Sequence, residues 1–382
     1  MTMNSRQRLL TACNHQEPDR IPFDMGSTQV TGIHVIAYHN LREYLGLPKI
    51  KPVMSDTVQQ LVLPDDDLVE QLGIDVRGLF PLNSHNWNIV EEEHEEYWEF
   101  HDEWGLTQQR LKPEGLYYSF AVSPLADPET TIDDVQKHNW PDTSDPRRIA
   151  GLREEALRYR AQGKAVMIKG VLAGIFEMAQ RVRGMENLLL DLAANEELAM
   201  AIVDKMVESK IKFWEMALPP LADVIDVVSE ADDYGTQFSQ LISPDMFRRL
   251  FKPRIAEIIR CIKRNAPNAK VFFHSDGNVR PIIPDFIEMG VDILNPVQPN
   301  AAGMDPIGIK KDFGKDLVFW GGGVETQSVL PFGTAQEVKD NVRRNIDALA
   351  PGGGYVFNTV HNIQADVPPQ NIMAMIEALR NA

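Results

Sequence analysis

The chain has 382 residues, 43% of them hydrophobic and 24% charged, and carries a formal net charge of −17. That length is enough to bury a large core, and no eighteen-residue apolar run offers a membrane-spanning helix. No lysine- or arginine-rich stretch offsets the acidity, so no face is suited to displacing counterions from a nucleic acid. The acid runs Asp65-Asp66-Asp67 and Glu91-Glu92-Glu93 read as solvated faces. The expected partner is a small molecule or another protein. The opening MTMNSRQRLLTACNHQEPDR has no apolar segment and includes Glu17 and Asp19, unlike a secretory signal. Cys13 and Cys261 are too few for a disulfide framework or a cysteine-built zinc site. A cytoplasmic location is expected.

Residues 5–15 read as a helix and Ile21 to Asp24 as a short strand. The polar MGSTQVTG then leads into the helix IHVIAYHNLREYLG, which Gly46 and Pro48 end. His34 and His39, five apart, fall on different faces of that helix and are poor joint ligands. A helix from Asp66 to Gly73 precedes a strand from Asp75 to Phe80. The alternating aromatics of YWEFHDEWGLTQQRL, centred on Glu103, Trp104 and Gly105, predict a hairpin serving as a lid. Trp87, Tyr97, Trp98, Phe100 and Trp104 would supply its apolar underside, or simply pack it onto the rest of the chain. Thr131 to Trp140 and Arg147 to Gln162 read as helical.

From Lys164 the rhythm becomes regular, with six apolar strand segments each followed by a helix. The strands are AVMIKG, DVIDVVSEADD, VFFHSDG, VDILNPVQP, LVFWGGG and GGYVFNTV. Ser243 is placed to cap the helix after the second of these, and Thr334 with Glu337 has capping-box spacing. Adding the strands near Ile21 and Asp75 gives eight, the count of an α/β (β/α)8 TIM barrel with an N-terminal helical extension and a β-hairpin insert. An open doubly wound sheet is disfavoured, because no Gly-x-Gly-x-x-Gly follows the first strand. Gly321-Gly322-Gly323 lacks a Walker lysine and is a weak phosphate cradle. With no linker or low-complexity tract, residues 1–382 are expected to form one domain.

In such a barrel the chemistry gathers at the carboxyl ends of the strands. The polar residues there are Asp24, then Lys169, then Glu230, Asp232 and Asp233. His274 and Asp276 follow on the fifth strand, Asn295 and Gln298 on the sixth, Glu325 on the seventh, and Asn358 and His361 on the eighth. His274 and Asp276 are two apart and project to the same side of an extended chain. With His361 they offer two nitrogens and an oxygen, a reasonable set for zinc with an open position. A local His–Asp bond, or mutual neutralisation at a polar barrel mouth, would need the same residues.

GGYVFNTVHNIQADVPPQNIMAMIEAL resembles the C-terminal segment of the uroporphyrinogen decarboxylase superfamily, LVFWGGGVETQSVLPFGTAQEVKDNVRRNID its preceding unit, and SPDMFRRLFKPRIAEII the helix after its middle strand. The likeness spans roughly the last two thirds of the chain and implies a (β/α)8 barrel. The decarboxylase proper carries an N-terminal Arg-Gln-Ala-Gly-Arg segment that holds propionates; here RIPFDMGSTQVTG stands instead. A multiply carboxylated substrate needs cationic clamps. The resemblance therefore points to the corrinoid-dependent methyltransferase branch, whose thiol-methylating members carry His-x-Cys where this chain has His274-Ser275-Asp276. Replacing thiolate by carboxylate leaves zinc more electrophilic toward oxygen, as removal of a methyl group from an ether requires.

The expected function is zinc-dependent transfer of a methyl group from a small methylated substrate, a methyl ether, to a corrinoid carried by a partner protein. His274, Asp276 and His361 would hold the metal, and Asp232, Asp233 and Asp24 would be catalytic. Gln237, Glu230, Lys169, Asn295, Glu325 and Asn358 would bind substrate. Self-association into a homo-oligomer is left open. The alternatives are a metal-free decarboxylase of a small or tetrapyrrole substrate, with Asp232 or Asp24 stabilising a protonated intermediate, and a barrel that binds ligand without turnover.

Overall fold

The structure, a computed structural model, describes residues 2–84, 87–113 and 115–382. Its antiparallel strands come first in the chain, apart from one parallel strand between them. They are β1 (Ile33–His34), β2 (Val53–Asp56) and β3 (Leu61–Leu63), then β5 (Glu92–Glu93), β6 (Tyr97–His101), β7 (Thr107–Leu111) and β8 (Ser119–Val122). The parallel strands are β4 (Val76–Leu79), β9 (Ala165–Lys169), β10 (Val227–Ala231), β11 (Lys270–His274), β12 (Ile293–Asn295), β13 (Val318–Trp320) and β14 (Tyr355–Val356). They run side by side in the order β14-β13-β12-β11-β10-β9-β4.

The two edges of that sheet are joined by the segment expected to be the first strand. Phe357 N donates to Pro22 O at 2.8 Å, Asp24 N to Phe357 O at 3.0 Å, and Asp75 N to Phe23 O at 2.7 Å. The segment pairs too briefly to form a regular strand, yet it closes the (β/α)8 ring. The Asp75 carboxylate fastens the seam from below, accepting from Arg8, Arg20 and the Phe23 amide. Side chains alternate across each strand. Met167, Val227, Phe272, Ile293, Val318 and Val356 fill the ring, and Leu9 and Cys13 of the helix Ser5–Cys13 plug its floor. Burial pushes the Cys13 thiol up to about 12, making it an inert packing group.

Local chemistry explains most boundaries. Thr334 and Glu337 form the expected capping box on Ala335–Leu349, and Ser243 Oγ accepts from Met246 N. The helix expected over 147–162 is broken: a 3-10 turn (Pro146–Ile149) ends at Ala150, and a helix (Leu152–Ala161) starts anew after Gly151, whose φ of +80° turns the chain between them. The helical run after Ser243 relaxes into a π-turn over Phe247–Phe251, just ahead of Pro253, which has no amide hydrogen to give. The sheet formed by β1, β3 and β2 was not expected, because its strands are too short to show a period. The hairpin over 97–111 is present as β6 and β7, enlarged by β5 and β8 to four strands. Among the described residues, no helix is long and apolar enough to cross a membrane.

Candidate metal centre and cavity

β11 ends at His274, and its partner residue on β10 is Ala231. Gly277 then turns the chain sharply, with a φ of +79° and a backbone so close to Thr236 O that a Cβ would lie 2.5 Å from it. This turn leaves Asp276 facing the same space as His274. The loop after β14 brings in His361. One ligand atom from each of the three lies within 4.8 Å of the others. His274 Nε2 is 3.8 Å from Asp276 Oδ2, which is 3.9 Å from His361 Nε2. Asp233 joins them, its Oδ1 3.7 Å from His274 Nε2 and accepting from the Asp276 amide at 2.9 Å. Among the described residues neither carboxylate pairs with a lysine or arginine.

Two details fit this set to a cation. The Asn295 amide nitrogen donates to Trp320 O at 2.7 Å, so its carbonyl oxygen must face His274 Nδ1, 2.6 Å away. Nδ1 therefore carries the proton and Nε2 presents a lone pair to the cluster. Asp276 Oδ1, meanwhile, is inaccessible and has no hydrogen-bond partner. Burial disfavours the His274 imidazolium, but the Asp276 and Asp233 carboxylates outweigh it and hold its pKa above the ordinary value. A tetrahedral zinc with bonds of about 2.0–2.1 Å sets its donors roughly 3.3 Å apart, so the two histidine–aspartate pairs, at 3.8 and 3.9 Å, would each close by about half an ångström and the two histidines would approach by up to about 1.5 Å.

The cluster forms one wall of a cavity of about 510 Å³, which Asp233, His274, His361, Lys169, Asp56 and the hairpin residues line. Trp87, Phe100 and Trp104 face it, whereas Tyr97 stacks on His94 and Trp98 lies under Lys112. Asp102 holds the hairpin tip by accepting from the Trp104 and Leu106 amides and from Gln108. The buried Arg148–Glu103 pair, at 2.6 Å, anchors the tip beside the barrel. A smaller polar cavity of about 270 Å³, lined by Gln237, Gln298, Asp276 and His361, adjoins the cluster.

Lys169 and Gln237 line these cavities, and the other residues expected at the site lie elsewhere. The Asp232 carboxylate turns away from Asp233 and accepts from the Phe176 and Glu177 amides and from Tyr234 Oη. It anchors the start of the helix Ile175–Arg183, and only glycine fits at 174, where a Cβ would lie 1.9 Å from Asp232 Oδ1. Burial pushes the Asp232 pKa up to about 7 against those donors. Asp24 is fully buried inside the ring, bonded by Ser27 Oγ and Trp320 Nε1, and burial pushes it up to about 6. Neither carboxylate lines the large cavity.

Glu230 points outward into the wall between β10 and the helix Glu196–Ala217, where Lys210 and Trp214 hold it. Glu325 accepts from the amides of Gln327, Ser328 and Val329, so it organises the loop after β13. Asn358 donates to Asp24 O, and Asn295 acts on His274 from behind. Lys169 does reach the cavity. Lys210, Asp56 and Trp320 carried no sequence signal of these positions. Lys210 and Trp320 act on partners distant in the chain, and Asp56 reaches the cavity only through the fold of its loop.

A closed ring of parallel strands with an N/O donor cluster beside a cavity at the strands' carboxyl ends defines a TIM-barrel protein of the enzyme-like kind. The family described as uroporphyrinogen decarboxylase (URO-D) matches residues 120–382, and the chain belongs to that family. A solved structure of a methyltransferase from Methanosarcina mazei superposes with a TM-score of 0.62 at 18% identity, covering 99% of each chain, and so shares the fold. Xylanase B from Clostridium stercorarium F9 gives a TM-score of 0.37 at 11% identity, covering 60% of this chain and 83% of its own. No curated protein matches the chain.

Proposed function

We propose that this protein is a zinc-dependent methyltransferase, formed as one domain, that moves a methyl group from a small methyl ether to the corrinoid of a partner protein. The observation that carries the proposal is the meeting of His274, Asp276 and His361, with Asp233 beside them. His274, Asp276 and His361 would hold the ion, and Asp233 would serve as a further oxygen donor or fix the Asp276 loop. Bound there, zinc would supply Lewis acidity toward the ether oxygen. The chain's own part is to orient the His274 lone pair through Asn295 and to keep the ether under the hairpin, away from bulk water. The methyl–oxygen bond breaks with its electron pair left on oxygen, which takes a proton from water as the demethylated product leaves the cavity. The reduced corrinoid, as acceptor substrate, provides the pair for the new bond. The likeness to the methyltransferase from Methanosarcina mazei supports the fold that this chemistry needs.

Zinc-repleted protein is expected to retain about one ion per chain. Methyl transfer from an aryl methyl ether to a reduced corrinoid protein should be lost in chelator and restored by zinc. No retained zinc together with unchanged activity in chelator rejects the proposal. The Asn295→Leu variant should bind zinc roughly ten- to hundredfold more weakly in a competition titration, as expected when an outer partner of a histidine ligand is removed. An unchanged affinity would show that Asn295 does not orient the ligand.

The decarboxylase alternative has the family's name in its favour. It relies on Asp24 or Asp232 to stabilise the protonated intermediate, and both carboxylates are turned away from the large cavity. Release of carbon dioxide without a corrinoid partner would support it.

A further inference from the structure

The donor cluster stands between two cavities. His361 lines both, Asp233 and His274 face the large one, and Asp276 faces the small one. The hairpin walls only the first, since none of its described residues reaches the small cavity. The loops after β10 to β14 build that second space, and they build it almost without charge. It contains no lysine or arginine, and its one carboxylate is Asp276. Five carboxamide side chains line it: Gln237, Gln298, Gln327, Asn362 and Gln364. Most of them keep hydrogen-bonding capacity in reserve. Gln298 Oε1 accepts from Gly277 N at 2.8 Å and Gln327 Oε1 from Asn300 Nδ2 at 2.8 Å, which leaves both amide nitrogens unused. Gln364 uses only its nitrogen, on Asn362 Oδ1, and Gln237 makes no side-chain hydrogen bond among the described residues. Gln298 is buried, so its free N–H groups are satisfied only from the cavity it lines. A ligand carrying neutral amides matches such a wall, because each carboxamide both donates and accepts. An anion would meet Asp276 with no cation to balance it.

The segments that follow β10, β12 and β13 also carry the three most exposed large apolar side chains among the described residues, Phe238, Ile307 and Phe332 respectively. Phe238 is 84% exposed, yet its backbone is fixed. Thr236 Oγ1 accepts from the Phe238 and Ser239 amides at 3.2 and 3.0 Å, and Thr236 N donates to Ser239 O at 2.6 Å. Asn278 Nδ2 donates to Phe238 O at 3.2 Å and ties the turn to the loop after β11. A ring held out at the tip of a braced turn has the form of an interface anchor, ordered before its partner arrives.

We propose, resting on the methyl-transfer reading, that the corrinoid partner docks on the loops after β10 to β14 rather than on the hairpin. The carboxamide-bearing rim of the corrin enters the small cavity, and Phe238 anchors the protein that carries it. At about 270 Å³ the cavity is too small for the macrocycle and takes only side chains from its edge. The ether and the methyl acceptor thus reach the cluster through different cavities.

The probe is methylcobalamin, whose corrin rim bears primary amides. Equilibrium dialysis in the dark against zinc-repleted, full-length protein should show binding at millimolar concentration or tighter. The same corrin with its amides hydrolysed to carboxylates should bind at least about tenfold more weakly. Gln237→Leu should weaken methylcobalamin binding about three- to tenfold, as loss of neutral hydrogen bonds does. With a reduced corrinoid protein as acceptor, Phe238→Ser should raise its KM about tenfold or more. Leu111→Ser, at an exposed site on the hairpin, should change that KM by less than about twofold. The proposal is overturned if methylcobalamin does not bind, if the hydrolysed corrin binds as well, or if Leu111→Ser impairs the acceptor and Phe238→Ser does not. It is overturned too if Phe238→Ser merely dissociates a self-associated wild type in sedimentation, which would give the patch to a second copy of this chain. The amide-to-acid comparison uses wild-type protein and decides even where a variant fails to fold. Amide-dependent binding without methyl transfer would leave this docking site standing and remove the activity instead.

Discussion

Replacing His274 with alanine is expected to abolish stoichiometric zinc binding and to lower methyl transfer by at least about a hundredfold, more than loss of an outer partner alone would cost. Of the three candidate ligands His274 is the most deeply set, with 4% of its surface exposed. Asn295 determines which of its nitrogens is free, and two carboxylates face that nitrogen. His361 sits on a loop with a side chain 30% exposed, and it makes no hydrogen bond that would fix its tautomer among the described residues. His361→Ala should therefore weaken zinc binding while leaving a measurable site. Metal content by mass spectrometry, read beside a circular dichroism spectrum to confirm folding, checks both variants. A folded His274→Ala protein with full zinc occupancy would move the metal to another part of the molecule.

How much of this was legible beforehand depends on whether a feature is local. The strand–helix units after Lys164 could be read because each carries its own signals, such as the Thr334–Glu337 cap and the apolar run before His274. His274 and Asp276 could be paired because both belong to one strand end. Glu230, Asp232 and Asp233 could not be sorted the same way. Which of them faces the cavity follows from Ala231 lying opposite His274, and register between strands is set by packing rather than by either strand's sequence. Asp24 was placed at the mouth because its strand ends there. Its carboxylate is held inward by Ser27 and by the indole N–H of Trp320, nearly three hundred residues away. The closing strand itself was expected, yet it is held largely by three backbone bonds and the Asp75 carboxylate, and no local pattern encodes that seam.

Lys210→Met is expected to destabilise the protein by about 3–5 kcal/mol, the usual cost of leaving one partner of a buried ion pair alone. Lys210 Nζ lies 2.5 Å from Glu230 Oε2, and both side chains are only 3% exposed. The Trp214 indole also donates to this carboxylate, but a neutral donor cannot replace the lost charge. Without Lys210 the carboxylate must stay ionised in an apolar wall or take up a proton. The double variant Lys210→Met, Glu230→Met should recover most of the loss, because well-packed apolar residues of similar size often match a buried pair. Denaturant midpoints measured for the single and double variants separate these outcomes. The same experiment decides what Glu230 does. If it serves the wall, the double variant keeps its affinity for substrate; if it touches substrate, binding falls even where stability is restored. A single variant within about 1 kcal/mol of wild type would mean that the pair contributes little, and that β10 is held to its helix by the surrounding apolar contacts of Trp214 and Phe213.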